Sequence, residues 1–366
     1  MKTTPLYEEH VALGARMAEF GGWEMPIQYE GILAEHQHTR TKTGLFDICH
    51  MGEFELTGPT AAADLENLLT MKISTLSVGQ CRYGFLLDEQ GGVIDDLTCY
   101  RLGEDRCMLV VNAATLDGDA EWIQKHLSSE TVFTDRSAEL AKLDVQGPQA
   151  RADLEAVFGP IPDLGYFKAE FFQGLENLLG AGSACLISRT GYTGELGYEL
   201  YFPASEAVRV WRALLANENI KPVGLGARDT LRLEMGYSLY GHELSRDKTP
   251  SGVSRGMFIK KDVDFIGREA VFQALENPTE LLVALEFENK RAARAGDNVF
   301  QSLEKSEIGE VTSGSLSPSL GKAVALALVQ ADAAESGTVL EVEIRGKRFP
   351  ATVVDLPFYK SGTARG

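Results

Sequence analysis

GPTAAADLE at residues 58–66 has a near copy in GPQARADLE at residues 147–155, with seven of nine positions the same. Each copy follows an alternating run, EFELT at 53–57 and KLDVQ at 142–146. Alternation is the period of a strand with two different faces. Gly-Pro ends that strand, because proline fits a helix's first turn, where the amide has no partner to lose. The Asp-Leu-Glu then falls inside an apolar-periodic helix. A strand–turn–helix unit therefore occurs twice, which points to an internal duplication: two related α+β lobes, with the cleft between them as the natural place for a ligand.

Around the first copy, YGFLLDEQGGVIDDLTCYRL (83–102) and CMLVVNAATL (107–116) read as three strands joined by a Gly-Gly turn and the polar loop GEDR. DGDAEWIQKHL (117–127) reads as a helix capped by Asp117 or Asp119. Around the second copy, ACLISRTGYTGELGYELYF (184–202) gives two strands about a glycine-rich turn. ASEAVRVWRALLANE (204–218) and GARDTLRLEMG (226–236) are amphipathic helices. After ENPTE (276–280) the texture changes to short alternating runs, LLVALEFE, VLEVEIRG and FPATVVDL, as in a separate small β-domain.

Composition bounds the function. The chain has 366 residues, 44% of them hydrophobic, enough for several domains around large cores. Against 35 basic residues stand 53 acidic ones, a formal charge of −18, which argues against nucleic acid as a partner; any anionic ligand needs a local basic pocket. Five cysteines, Cys49, Cys81, Cys99, Cys107 and Cys185, lack CxxC spacing and sit in apolar runs, as free buried thiols do in a reducing compartment. The first residues lack the apolar core of a signal peptide, and no stretch reaches the ~18 apolar residues of a membrane span. These features place the protein in the cytoplasm.

GYTGELG is neither a dinucleotide fingerprint nor a phosphate loop, and SRDK (245–248) lacks the partner motifs of acyl-transferring serine enzymes. His36 and His38 face different sides of a helix, so no metal site is proposed. What remains is a set of polar and aromatic residues in apolar, glycine-bounded settings: Asp96 in GGVIDDL (91–97), Asn112 in VVNA, Tyr192 and Glu199 around GYTGELGYE, and Arg228 in GARD. In an extended segment Asp95 and Asp96 point to opposite faces, so at most one of them looks inward while the other meets water. Read alone, each residue also fits a structural role: Asn112 capping a turn, Tyr192 filling core, Glu199 and Arg228 forming a buried ion pair.

Taken in order, TPLYEEHVALGARMAEFGGWEMPIQY, LFDICHMG, GGVIDDL, SRTGYTGELGYE, GLGARDTLRLEMGYSLYGHEL, DFIGREA, IGEVTSGSLSPSLGKAVALALV and PFYK span essentially the whole chain. This series resembles the T-protein family of the glycine cleavage system, the aminomethyltransferases. The resemblance implies a three-domain α+β cloverleaf around a central channel: residues 1–50 with 142–278 as a discontinuous first domain, 51–141 as a second, and 279–366 as a C-terminal β-barrel-like domain. It implies a transferase of glycine catabolism that takes the aminomethyl group from the dihydrolipoyl arm of the H-protein. Ammonia is released, and the one-carbon unit passes to tetrahydrofolate as 5,10-methylenetetrahydrofolate, without a metal. By the same resemblance Asp96 stands beside the pterin nitrogens, as electrostatic stabiliser or proton acceptor, and Asp95 is its outward neighbour. Glu199 and Arg228 serve the pterin edge, Met51, Tyr83, Asn112 and Tyr192 line the channel, and Arg294 and Lys360 are candidates for the glutamate tail. A monomer that meets the H-protein transiently fits the family, and the run HQHTRTK from His36 to Lys42 is one candidate docking patch.

The sequence departs from the family pattern at Gly252 and Met257, where Glu and Trp are common; Met257 keeps an apolar wall but loses a flat stacking surface. Three rival readings stay open. A tetrahydrofolate-dependent demethylase acting on a small methyl donor would use the same folate residues. A folate-binding protein of iron–sulfur maturation would carry KGCYxGQE, whereas GYSLYGHE here lacks the cysteine. A purely structural protein would bury Asp96, Glu199 and Arg228 in a network with no ligand.

Overall fold

The structure, a computed structural model, describes residues 1–180, 185–254, 256–301 and 306–365. Three sheets organise it. A six-stranded sheet runs in the order Ala169–Phe172, Cys185–Ser188, Gly197–Pro203, Leu140–Gln146, Thr43–Asp47 and Ile220–Pro222. Only the last pair in it is parallel. A five-stranded antiparallel sheet runs Gln80–Leu87, Val93–Gly103, Arg106–Val111, Gly52–Thr57 and Val132–Asp135. The third closes into a six-stranded barrel between Glu280 and Val354. The strands of the two copies of the repeated unit lie in different sheets: Gly52–Thr57 leads into helix Ala61–Leu68, and Leu140–Gln146 into helix Ala150–Phe158.

Each open sheet buries one face under helices. In Ala207–Leu215 the residues Ala207, Val210, Trp211 and Leu214 share one side at helical spacing and are fully buried. They pack with Leu154 and Phe158 on Leu143, Val145, Leu200 and Phe202. In the five-stranded sheet Leu65, Leu68 and Ile123 from the covering helices meet Leu97, Cys99 and Leu109. The remaining faces meet each other, with Cys81, Tyr100, Met108 and Val110 against Leu186 and Tyr201. This juxtaposition of inner faces gathers the polar residues of the site. Barrel strand Ala323–Gln330 is buried on both sides: its alanines fill the narrow interior, and Val324, Leu326 and Leu328 pack outward on Leu233 and Phe358. All five cysteines are free and buried, and among the described residues no helix is long and apolar enough to cross a membrane.

Helix Leu225–Met235 ties the six-stranded sheet to the barrel. Ala227 and Leu231 pack on Phe46, Ile48 and Val223, while Leu233 packs on the barrel. At its end, buried Glu234 accepts from Arg40 Nη2 (2.9 Å) and Nε (3.2 Å), Ser317 Oγ (2.5 Å), Ser319 N (3.0 Å) and Ser319 Oγ (2.8 Å). His36 Nε2 lies 3.2 Å from it. Arg40 also reaches Glu195 Oε1 (2.9 Å) and the Thr193 carbonyl (2.6 Å). The candidate docking run His36–Lys42 is therefore not a free basic face: His36 and Arg40 are buried in this junction, His36 against Glu234 and Arg40 paired with Glu234 and Glu195. Helix Leu116–His126 likewise differs from expectation. Thr115 precedes it without a side-chain cap, and Asp119 is buried inside rather than capping its end.

Burial alone would raise the Glu234 carboxyl, but His36, Ser317 and Arg40 hold it at about 2, below its usual 4.5. A carboxyl lowered by folding stabilises above its unfolded value and loses that contribution as pH falls through its folded value. Glu234→Gln leaves Arg40 with half its counter-charge, and the expected cost at pH 7 is about 3–5 kcal/mol in urea unfolding. The gap between variant and wild type should narrow as pH falls from 4.5 toward 2. Equal stability at pH 7 would show that the junction is not held by this ion pair.

Candidate active site

The strand Val93–Gly103 carries two adjacent aspartates, and its pleat sends them to opposite faces. Asp96 shares the inner face with Tyr100 and is half-buried. Tyr83 OH donates to Asp96 Oδ2 at 2.9 Å, and Asn112 Nδ2 donates to Asp96 Oδ1 at 3.0 Å. The register explains Asn112: Thr98 pairs with Val110, so two residues further along Asn112 stands opposite Asp96. Burial, and then the neighbouring Asp95, push the Asp96 carboxyl up to about 7, against the lowering effect of Tyr83 and Asn112.

Asp95 does not meet water, contrary to the sequence expectation. It is fully buried, because the outer face of this strand is covered by helix Leu116–His126 rather than by solvent. Asp95 Oδ2 accepts from the Asn112 backbone amide at 2.9 Å and Oδ1 from Asn112 Nδ2 at 2.8 Å.

The six-stranded sheet supplies the opposing groups. Glu199 Oε2 accepts from Thr190 Oγ1 (2.8 Å), Tyr201 OH (2.9 Å) and Tyr100 OH (3.3 Å), with Lys142 Nζ at 3.6 Å. Burial would raise this carboxyl, but Lys142, Thr190 and Tyr201 prevail and lower it, so Glu199 stays ionised. Arg228 pairs with Asp144 rather than with Glu199, donating from Nη1 to Oδ2 at 2.6 Å. Burial pushes Asp144 up to about 6 against the guanidinium's pull. Arg228 lies 5.0 Å from the centre of the Tyr192 ring, which stacks on Tyr237 and donates to the Ser238 carbonyl. Tyr192 feels the charges of both Asp96 and Arg228. Met51 Sδ lies 3.7 Å from Lys142 Nζ, which joins it to the Glu199 group. A crevice too tight for a water molecule is lined by Tyr166, Thr190, Gly191, Gly197 and Tyr237, with Ala364 of the C-terminal segment at its wall.

Asp96, Tyr83, Asn112, Met51, Tyr192, Glu199 and Arg228 are thus brought together. Arg294 and Lys360 are not joined to them. Arg294 is exposed on the barrel and donates to the Gly314 carbonyl at 2.6 Å, and exposed Lys360 borders a separate cleft with Glu286, Asp355 and Phe358. Met257 points to solvent, 73% exposed, and Phe258 instead packs edge-on against Tyr83 at 4.8 Å. Gly252 is fitted to its place, since a Cβ there would lie 2.9 Å from the Glu280 carbonyl. Lys142 and Asp144 escaped the sequence reading. Their signal was the period-two spacing of Lys142, Asp144 and Gln146 in KLDVQ, which puts three polar side chains on one face of a strand buried on both sides.

The profile described as GCVT N-terminal domain matches residues 6–263, and that of the glycine cleavage T-protein C-terminal barrel domain matches residues 281–360. An aminomethyltransferase of Herpetosiphon aurantiacus is 46% identical over 364 residues, covering 99% of each chain. One from Shouchella clausii is 44% identical, covering 98% of this chain and 97% of its own. The crystal structure of glycine cleavage system aminomethyltransferase T from Bartonella henselae superposes with a TM-score of 0.92 at 36% identity, covering 99% of each chain. With both profiles matched, and relatives this similar over nearly its whole length, the chain belongs to the glycine cleavage T-protein family.

Proposed function

We propose that the chain is the aminomethyltransferase of the glycine cleavage system. It moves the methylene carbon of an aminomethyl group, held on the dihydrolipoyl arm of the H-protein, to tetrahydrofolate. The carbon–sulfur and carbon–nitrogen bonds break, and bonds to N5 and N10 of the folate form. The two protons that those nitrogens lose end on the lipoyl sulfur and the departing ammonia. The observation that carries this reading is Asp96: a half-buried carboxylate, held by Tyr83 and Asn112, whose charge is felt by Tyr192, the ring that lies beside Arg228.

Its chemistry suits the transfer. Positive charge develops at nitrogen as the carbon changes hands, and a carboxylate poorly screened by water stabilises it strongly. With its proton affinity near neutrality, Asp96 can also take a proton from the attacking nitrogen and return it to a leaving group. Ionised Glu199 matches the paired N–H donors of a pterin edge, Arg228 holds that end of the site, and Tyr192 offers a ring face. The demethylase alternative gains nothing from the comparisons, since relatives matched along the whole chain are named aminomethyltransferases. Free buried thiols fit a cytoplasmic setting, and Asp96, Tyr83, Asn112, Tyr192, Glu199 and Arg228 remain the proposed folate site.

The test is a reconstituted assay with aminomethyl-loaded H-protein and tetrahydrofolate, following ammonia and methylenetetrahydrofolate together. Asp96→Asn should lower kcat about 10²-fold or more while tetrahydrofolate binding changes by less than about threefold. Arg228→Ala and Glu199→Ala should weaken that binding about tenfold or more. Full turnover in Asp96→Asn would remove it from the chemistry. In the wild type kcat/KM should rise with pH through about 7 as Asp96 ionises, a limb absent from Asp96→Asn.

Stability gives an independent reading of the same carboxyl. A group raised on folding, from 3.8 to about 7 for Asp96, stabilises fully below its unfolded value, and the contribution is lost as pH rises through the folded one. Asp96→Asn should therefore unfold later than wild type at pH 8, by about 1–2 kcal/mol once partial exposure is discounted. The two proteins should converge toward pH 4. A variant less stable at pH 8 would mean that Asp96 is a structural anchor instead.

A further inference from the structure

Behind Asp96, on the covered face of the same strand, lies a second acid that the chemistry above does not use. Asp119, from helix Leu116–His126, is fully buried, and neither of its carboxyl oxygens meets a donor at hydrogen-bond geometry, the Thr115 hydroxyl being the neighbouring group that comes within reach. What it touches is the carboxyl of Asp95, which is also fully buried and within hydrogen-bonding contact. Two ionised carboxylates cannot sit in contact in such a place; one proton between them converts repulsion into a short, charge-assisted O–H···O bond.

The surroundings offer no other resolution. The Thr115 hydroxyl donates to the Asn112 carbonyl, and Tyr240 OH donates to the Val93 carbonyl. Arg246 acts on Asp119 through its charge without a hydrogen bond, while Tyr83 and Asp96 lie on the far side of the strand. Asp95 meanwhile accepts two bonds from Asn112, through both oxygens.

We propose that Asp119 and Asp95 share a single proton, and that this pair is a positioning device for Asp96. It fixes the Asn112 amide that grips Asp96, and it presents one negative charge, never two, behind that carboxyl. The chain of contacts runs from Asp119 to Asp95, to Asn112 and to Asp96. With two charges Asp96 would bind its proton too tightly to work near neutrality; with none it would release it too readily. The effect on turnover rests on the function proposed above, whereas the shared proton does not.

Two arms separate the two claims. In the free wild-type protein, infrared spectra at about pH 10, above the range in which the other raised carboxyls of the site ionise, should retain the C=O stretch of one neutral carboxylic acid. The band should move in D2O and vanish in Asp119→Asn and, independently, in Asp95→Asn. Its absence from the wild type, or its survival in both variants, overturns the proposal whatever the enzyme's substrate. In the H-protein and tetrahydrofolate assay, Asp119→Ala should lower kcat about tenfold, leave KM for tetrahydrofolate within about threefold, and move the acidic limb to lower pH by about a unit. Asp119→Asn, whose amide can still donate to Asp95, should restore both. Equal losses in the two variants with no movement of the limb would make Asp119 merely structural and sink the proposal. An inactive wild type with the band present would instead fault the assigned reaction.

Discussion

One side-chain amide spans the two faces of a strand. Asn112 Nδ2 lies 2.8 Å from Asp95 Oδ1 and 3.0 Å from Asp96 Oδ1, so a single group grips carboxylates that the pleat points in opposite directions. That grip is possible because the hydrogen-bonded ladder ends at Thr98 and Val110, which frees the next residues to turn side chains toward the neighbouring strand. If Asn112 turned away, Asp96 would keep only Tyr83, and its position relative to Tyr192 and Arg228 would be set by a flexible carboxyl alone. The remaining architecture keeps this arrangement still: a helix layer behind Asp95, and the inner face of the other sheet in front of Asp96.

Concentrating ionisable groups between two sheets works against stability, and the fold offsets this at a distance. Asp96, Asp144 and Glu53 are each pushed upward by burial, to about 7, 6 and 8, so each costs folding free energy at neutral pH. Opposing them are three separate hydrophobic cores and the junction around Glu234, where a carboxyl is driven the other way. Helix Leu225–Met235 belongs to both ledgers, since one turn reaches Asp144 through Arg228 and the last reaches Arg40 and the barrel through Glu234. Strain at the site is thus braced by a helix whose own fixed points lie outside it.

Much of this was legible in the residues. The repeated GP-x-A-x-ADLE unit announced two related lobes, and the alternating texture after residue 280 announced a β-domain, because periods of two and 3.6 survive in the sequence. The pleat also correctly divided Asp95 from Asp96. What it could not convey was that the second face is roofed by a helix, a tertiary fact that turned an expected solvated acid into a buried one. For the same reason an ion pair between Glu199 and Arg228, one structural role their residue types allow, does not form: Asp144, two residues after Lys142 on an adjacent strand, takes the guanidinium and Lys142 takes Glu199. Partner choice among buried charges depends on strand order, and strand order leaves little trace in a single chain. Met257 shows a similar limit: the residue at the family's Trp position faces water, and the ring beside Tyr83 comes from Phe258.

The central claim is that Asp96 is a carboxyl whose charge is held out of water and poised near neutrality. Carbon-13 NMR of protein labelled at the aspartate carboxyl carbons, with the Asp96 resonance assigned by its loss in Asp96→Asn, reads that directly in the free enzyme. The account predicts a titration midpoint at about 7. A midpoint at the ordinary aspartate value of 3.8 would mean that the carboxyl is solvated and free, and the account would fail.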